Sequence, residues 1–325
     1  MNATPDHDDR DRFARLVHTI RPGGTLIRAW PLEGGVSAQI TAFEIAHPDG
    51  HMERMVVRQH GERDREYKPN IATDEFTLLA ILGEAGVPAP KPIFVDQASA
   101  FFDTPCLVVQ YTEGSTGIAP ADEQHAGEHM ATYLARLHTI DAIAHDLSFL
   151  PAVTARLERM LLDPPTADAP SPTAARIREA LAVAWPLPRT TDSILLHGDF
   201  WPGNIMWRDR EIVAVIDWED SAIGDPLFDL ASVRLELFWM FGAVAMHRFT
   251  GHYTSMTQND LTDLPFWDLC AALDPAMHLP IWDTTRTPKP PCAKSSTCSS
   301  IGRWRNSHRG FAWIDRRHVA TRMVG

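Results

Sequence analysis

The order of patterns along this chain predicts an α+β fold of two lobes, because strands come first and helices follow. The first third carries short apolar runs separated by turn-formers. From about residue 121 the apolar spacing changes to that of helices. Between them lies TEGSTG, residues 112–117, polar and glycine-containing, which reads as a linker. At 325 residues, 44% of them hydrophobic, the chain is long enough for two packed cores.

Phe13, Leu16, Val17 and Ile20 share one helical face and predict an N-terminal helix ending near Pro22-Gly23-Gly24. Three strands are expected at Thr25–Pro31, Ser37–Ala46 and Glu53–Gln59, with the turn His47-Pro48-Asp49-Gly50 between the last two. The Gly-Gly turn at Gly34 and Gly35 allows a backbone to approach phosphates closely, although such a turn more often only closes a hairpin. Arg58, in the third strand, is either a phosphate partner or an exposed strand charge. Asp74 to Gly86 reads as a helix with Phe76, Leu79, Ile81 and Leu82 as its apolar set. Its first turn holds Glu75, a helix-dipole partner or an ion-pair partner for Arg58. Two more strands are expected at Ile93–Asp96 and Cys106–Tyr111, then helices at Ala121–Ile140, Leu150–Leu162, Thr173–Trp185 and Pro226–Phe249.

A net charge of -12 argues against a general nucleic-acid binder. Four cysteines without framework spacing fit a reducing compartment. MNATPDHDDRDR has no apolar core for a secretion signal, and the longest apolar run, Leu237–Met246, is too short to span a bilayer. A cytoplasmic protein without membrane or nucleic-acid partners is therefore expected. The sequence leaves the oligomeric state undetermined.

The chemistry concentrates between Leu195 and Ala231. Asp199 is followed five residues later by an amide, Asn204. The run EIVAVI, residues 211–216, reads as a strand with Asp217 just past its end. Two carboxylates and an amide at such positions suit phosphoryl transfer: Asp199 can aim a hydroxyl and accept its proton, while Asn204 and Asp217 can hold magnesium on phosphate oxygens. His197 reads as a structural residue that fixes the loop. Asp225-Pro226 reads as a helix start, and Asp229 as either a brace for the loop or a helix-dipole partner.

HGDFWPGN followed by VIDWEDSAIGDPLFDLA resembles the aminoglycoside phosphotransferase family, within the wider group that includes choline and homoserine kinases. The resemblance covers roughly residues 25–282. It implies a bilobal protein-kinase-like fold: a small β-rich N-lobe over residues 1–112, a hinge, and a larger helical C-lobe over 113–283. It implies Asp199 as catalytic base and Asn204 and Asp217 as Mg2+ ligands. Gly34, Gly35 and Ser37 would form the loop over ATP (or GTP), and Gln110, Tyr111 and Thr112 the hinge at the adenine edge. Arg58 stands where protein kinases use lysine, and its planar fork differs from a point charge. The acceptor implied is a hydroxyl of a small molecule, such as an aminoglycoside-like antibiotic. Alternatives are a metabolic kinase for an amino alcohol or sugar, and a nucleotide-binding protein with weak or no catalysis.

His125-Ala126-Gly127-Glu128-His129 matches the H-x-x-E-H pattern of one zinc peptidase class. Gly127 weakens a helix there by about 1 kcal/mol. A polar helix face above buried Met130, Tyr133, Leu134 and Leu137 is the preferred reading. The tail, residues 284–325, breaks from the rest with nine Lys and Arg against one acid, Asp315. It reads as a poorly ordered basic arm or, preferably, as the product of a reading-frame shift near Asp283. Shifted by one base, GC-rich codons for this stretch can encode an amphipathic helix.

Overall fold

The computed structural model describes residues 7–32, 38–61, 65, 68–118, 122–142, 144–162, 172–187 and 194–278. These fall into two compact units. The first takes the residues up to Thr116 together with Ile205–Glu219, and the second takes Gly117–Asn204 and the residues from Asp220 onward. The α+β architecture expected from the sequence is present: an antiparallel sheet dominates the first unit and helices the second. The hairpin 205–215 groups with the first unit, although its position in the chain suggested the helical lobe.

In the first unit, α1 (His7–Ile20) precedes β1 (Thr25–Pro31), β2 (Ala38–Ala46) and β3 (Met52–His60). Then come α2 (Ile71–Glu84), β4 (Pro92–Asp96) and β5 (Cys106–Gln110). The sheet order is β1-β2-β3-β5-β4, and every pairing is antiparallel. The β2–β3 turn closes as its composition predicts: Gly50 N–H donates to His47 O at 2.9 Å, and Asp49 Oδ1 accepts from His51 N–H at 3.0 Å. Phe13, Leu16 and Val17 of α1 pack on Phe43, Ile45, Met55 and Val57. Side chains alternate across a strand, so Arg58 and His60 fall on the face opposite Met55 and Val57.

Helix α2 starts three residues earlier than expected, and its buried stripe is Ile71, Ala72, Glu75, Leu78, Leu79 and Leu82. Glu75 is therefore no first-turn dipole partner. It is a carboxylate set in the middle of an apolar stripe, a costly placement unless it is paired. The TEGSTG stretch is more than a linker. Its Ser115–Thr116 forms β6, which pairs with β8 (Ile205–Arg208). Strand β8 in turn pairs with β9 (Glu211–Val215).

The second unit contains α3 (Glu123–Leu137), α4 (Val153–Leu162), α5 (Pro172–Ala184), β7 (Ile194–Leu196) and β10 (Ala222–Gly224). It closes with α6 (Leu227–Phe241), α7 (Ala243–Met256) and α8 (Leu264–His278). Helix α3 packs on α7, and α6 packs on both α7 and α8. A single helix was expected from Pro226 to Phe249. It is broken at Gly242, whose φ of 87° and ψ of 179° no helix continues through. Helix α8 was not expected; it contains Pro265 and Pro275, and Trp267, Cys270 and Leu273 anchor it in the core. Among the described residues, no helix is long and apolar enough to cross a membrane. The loop residues Gly34, Gly35 and Ser37 and the tail 284–325 lie outside the described residues.

Candidate active site

The HGDFWPGN segment follows directly from β7 and ends in a short 3-10 turn, Pro202–Asn204. Gly198 adopts φ +82°, and a Cβ there would meet the Asp220 carbonyl oxygen at 2.0 Å. Only glycine satisfies both conditions. The turn directs the Asn204 amide back: its Nδ2 donates to Asp199 O at 2.9 Å and to Asp199 Oδ2 at 3.0 Å. Asn204 is buried and Asp199 is half-buried. Asp199 N–H donates to His197 Nδ1 at 3.2 Å, which places the ring proton of His197 on Nε2.

Asp229, fully buried on α6, accepts both preceding amides: His197 N–H at 2.7 Å and Gly198 N–H at 2.9 Å. His138 Nε2 lies 3.3 Å from the same carboxylate. Burial alone would push the Asp229 carboxyl up, but the His138 and His197 hydrogen bonds outweigh it and hold the group below its ordinary value. Asp225 accepts Leu227 N–H at 2.9 Å and so caps α6, with Pro226 already in helical conformation at φ -59° and ψ -20°.

A second cluster lies within the first unit. Asp217 follows β9 at φ +71°, a left-handed conformation that aspartate tolerates better than most residues. Arg58 Nη2 donates to Asp217 Oδ1 at 2.6 Å and to Glu219 Oε2 at 2.5 Å, while Nη1 reaches Glu75 Oε1 at 3.3 Å. Lys68 Nζ donates to the Glu219 carbonyl. One guanidinium thus faces three carboxylates. Burial would push Arg58 down, but Glu75, Asp217 and Glu219 together raise it. Burial pushes Glu75 up to about 7, with Asp217 and Glu219 adding to the rise and Arg58 opposing it. His60, 3.5 Å from Glu75, is pushed down to about 3 by burial and then by the Arg58 charge.

At the end of β5, Gln110 N–H donates to Lys91 O at 2.9 Å and Tyr111 N–H to Arg54 O at 3.1 Å. Of the three residues expected to form the hinge, Gln110 and Tyr111 thereby commit their N–H groups to backbone partners. The Arg54 guanidinium lies over the Tyr111 ring at 5.0 Å.

The structure thus groups Arg58, Glu75 and Asp217 in one unit, and Asp199, Asn204, His197, Asp225 and Asp229 in the other. Sequence reasoning did not anticipate Glu219 at Arg58, Lys68 at the Glu219 carbonyl, or His138 at Asp229. Glu219 carried a signal, since it lies two residues past Asp217 in the same motif. His138 carried none beyond its place after the last turn of α3. Asp220 Oδ1 lies 3.7 Å from Arg156 Nη1. The His125 and His129 rings of the H-x-x-E-H stretch lie side by side, tilted by 44° with centroids 4.1 Å apart. Among the described residues, no group of three or more His, Cys, Asp or Glu is placed to hold a metal ion.

Residues 30–258 match the model of the phosphotransferase enzyme family. Among solved structures, the macrolide 2'-phosphotransferase of Brachybacterium faecium superposes with a TM-score of 0.61 at 19% identity, covering 83% of this chain and 90% of that one. An amicoumacin kinase solved with AMP-PNP and Ca2+ superposes with a TM-score of 0.57 at 15% identity, covering 79% and 80%. The shared architecture is the kinase-like phosphotransferase fold. Among curated proteins, the human acyl-CoA dehydrogenase family member 11 is 28% identical over 179 residues, 51% of this chain. That match takes in 23% of the human protein, so the chain corresponds to less than a quarter of its length.

Proposed function

Because this chain belongs to the phosphotransferase enzyme family, we propose that it moves the γ-phosphate of ATP (or GTP) to a hydroxyl of a small molecule. The observation that carries the reading is the Asp199 loop. Its backbone is clamped by Asp229, and its carboxylate is oriented by the Asn204 amide. A phosphoryl acceptor needs positioning more than a strong base, and a half-buried carboxylate held in this way supplies it. Asp199 takes the acceptor proton as the hydroxyl oxygen attacks phosphorus and the bond to the nucleoside diphosphate breaks.

The donor chemistry present fits magnesium. Asn204 commits its Nδ2 to Asp199, which leaves Oδ1 as a hard oxygen ligand. Asp217, its side chain 36% exposed, belongs to a cluster with three carboxylates on one guanidinium, a charge surplus that a divalent cation offsets. Bound magnesium would neutralise charge developing on the phosphates. Arg58, braced by Glu75, supplies a charge-assisted contact to phosphate. With the Gln110 and Tyr111 N–H groups committed, Thr112 offers the hinge N–H for the purine edge. Gly34, Gly35 and Ser37 serve as the phosphate loop. A cytoplasmic setting, where ATP and magnesium are abundant, suits this chemistry.

The acceptor is open between an antibiotic of aminoglycoside or macrolide type and a metabolic hydroxyl compound. The match to proteins named for acyl-CoA dehydrogenases favours including hydroxyacyl-CoA esters among the latter. A panel of aminoglycosides, macrolides, amino alcohols, sugars and hydroxyacyl-CoA esters, assayed for magnesium-dependent ADP formation, tests the reading. The expected result is one class turned over by the wild type and lost in Asp199→Asn. ADP formation equal in the two proteins would contradict the assignment, and no nucleotide binding at all would contradict the kinase reading itself.

A further inference from the structure

A chain of hydrogen bonds continues from the Asp229 clamp to the far end of α7. Asn259 Nδ2 donates to Tyr253 Oη at 2.7 Å. Tyr253 Oη lies 2.7 Å from His138 Nδ1. His138 Nε2 lies 3.3 Å from Asp229 Oδ2, and Asp229 holds the His197 and Gly198 amides. Tyr253, His138 and Asp229 are all buried, so each polar atom depends on these partners.

The proton inventory orders the chain. An ionised carboxylate only accepts, so His138 must donate to Asp229 through Nε2–H. Asn259 fills one acceptor site of the Tyr253 oxygen, and a neutral imidazole with its proton on Nε2 has only a lone pair at Nδ1, which takes the phenol proton. The direction is then set along the whole line: amide to phenol, phenol to imidazole, imidazole to carboxylate, with the carboxylate receiving the loop. We propose that Tyr253 and Asn259 are positioning residues for the catalytic loop, acting by fixing the His138 ring proton on Nε2, where it anchors Asp229. Supporting hydrogen bonds of this kind lock the rotamers on which an active group's placement depends. The proposal rests on the reading of Asp199 as the catalytic carboxylate only for its effect on rate; the proton placement stands apart from it.

The test uses the full-length protein labelled with 15N at histidine. The His138 signal should report a proton on Nε2 and a lone pair on Nδ1. Tyr253→Phe removes the donor to Nδ1. Asn259→Asp, at a half-buried site, draws the phenol proton toward a new acceptor and reverses the line without opening the core. In both variants the His138 signal should shift, and amide exchange at His197 and Gly198 should rise roughly fivefold or more above any global change. With ATP and whichever acceptor the panel yields, or water as acceptor, kcat should fall about 3- to 10-fold while the KM for ATP stays within about twofold. Asn259→Gln, which restores a donor, should recover most of the loss. A wild-type proton on Nδ1 would overturn the proposal, as would an unmoved His138 signal and unchanged exchange in both variants. Shifted signals with unchanged kcat would leave the relay standing and count against Asp199 as the group that it positions.

Discussion

Arg58 Nη2 lies 2.6 Å from Asp217 Oδ1, joining a central strand of the sheet to the second residue past β9. The same guanidinium serves Glu75, whose side chain is 5% exposed within the apolar stripe of α2. Removing one member of a buried pair strands the other charge. Arg58→Ala should therefore lower unfolding free energy by about 3–5 kcal/mol and raise the KM for ATP. Arg58→Lys should fall between, since it keeps the charge but loses the fork. Urea unfolding with a parallel nucleotide titration measures both. An Arg58→Ala protein of wild-type stability would show that Glu75 does not depend on this pair.

Asp199 and Asp217 should fail in different ways. Asp199→Asn keeps an acceptor oxygen for the Asn204 amide but cannot take a proton, so turnover should drop about 100- to 10,000-fold with nucleotide binding nearly intact. Asp217→Asn tolerates the left-handed backbone and should instead weaken magnesium-dependent nucleotide binding. Calorimetric titration with a non-hydrolysable ATP analogue separates the two, and equal loss of affinity in both would contradict the division of roles.

Asp229 should give the protein an acid-sensitive stability. Its folded value is held below the ordinary one, so between the two values the unfolded chain binds more protons and stability rises with pH. The contribution is complete above the unfolded value, about 3.9, and is lost as pH falls through the folded value. Asp229→Asn should be less stable by about 2 kcal/mol near neutrality, the scale of hydrogen bonds to a charged acceptor. Thermal melts from neutral pH downward should show this gap closing on the acid side. A gap of constant size down to pH 2 would place the stabilisation elsewhere.

Gly198 and Gly242 share a positive φ but differ in what surrounds them. At Gly242 an added Cβ meets nothing within 4 Å, so Gly242→Ala should cost the backbone penalty alone, about 1–3 kcal/mol for a φ and ψ that are essentially glycine's. At Gly198 the Cβ would meet the Asp220 carbonyl at 2.0 Å, so Gly198→Ala must also displace the loop that carries Asp199. It should lose activity as well as stability. Melting temperature and ADP formation, compared side by side, check the contrast; a fully active Gly198→Ala would show that the loop can relax.

Most elements were legible in local pattern. The hairpin turn at Pro48-Asp49-Gly50, the stripe of α1 and the cap at Asp225 are set by neighbours within a few residues, and local rules describe them. The motif spacing from Asp199 to Asn204 to Asp217 likewise pointed to the chemistry proposed, because one loop and one strand end present those residues. Elements went unread where local signals misled. Gly242 lies inside an apolar helical run, and α8 contains two prolines yet is held by Trp267 and Leu273.

Tertiary structure alone decided the partners. Sequence named Glu75 and Arg58 as a candidate pair but read Glu75 as lying in a first helical turn. Only the start of α2 at Ile71 puts that carboxylate on a buried face, where burial raises it and Arg58 must answer it. The line from Asn259 through Tyr253 and His138 to Asp229 joins residues up to 121 positions apart in the chain. No periodicity encodes such a line, because it arises from the packing of α7 and α3 around a buried carboxylate. Sequence determined the family this protein belongs to; packing determined which buried charges meet, since the cost of an unpaired polar group exists only once water has been excluded.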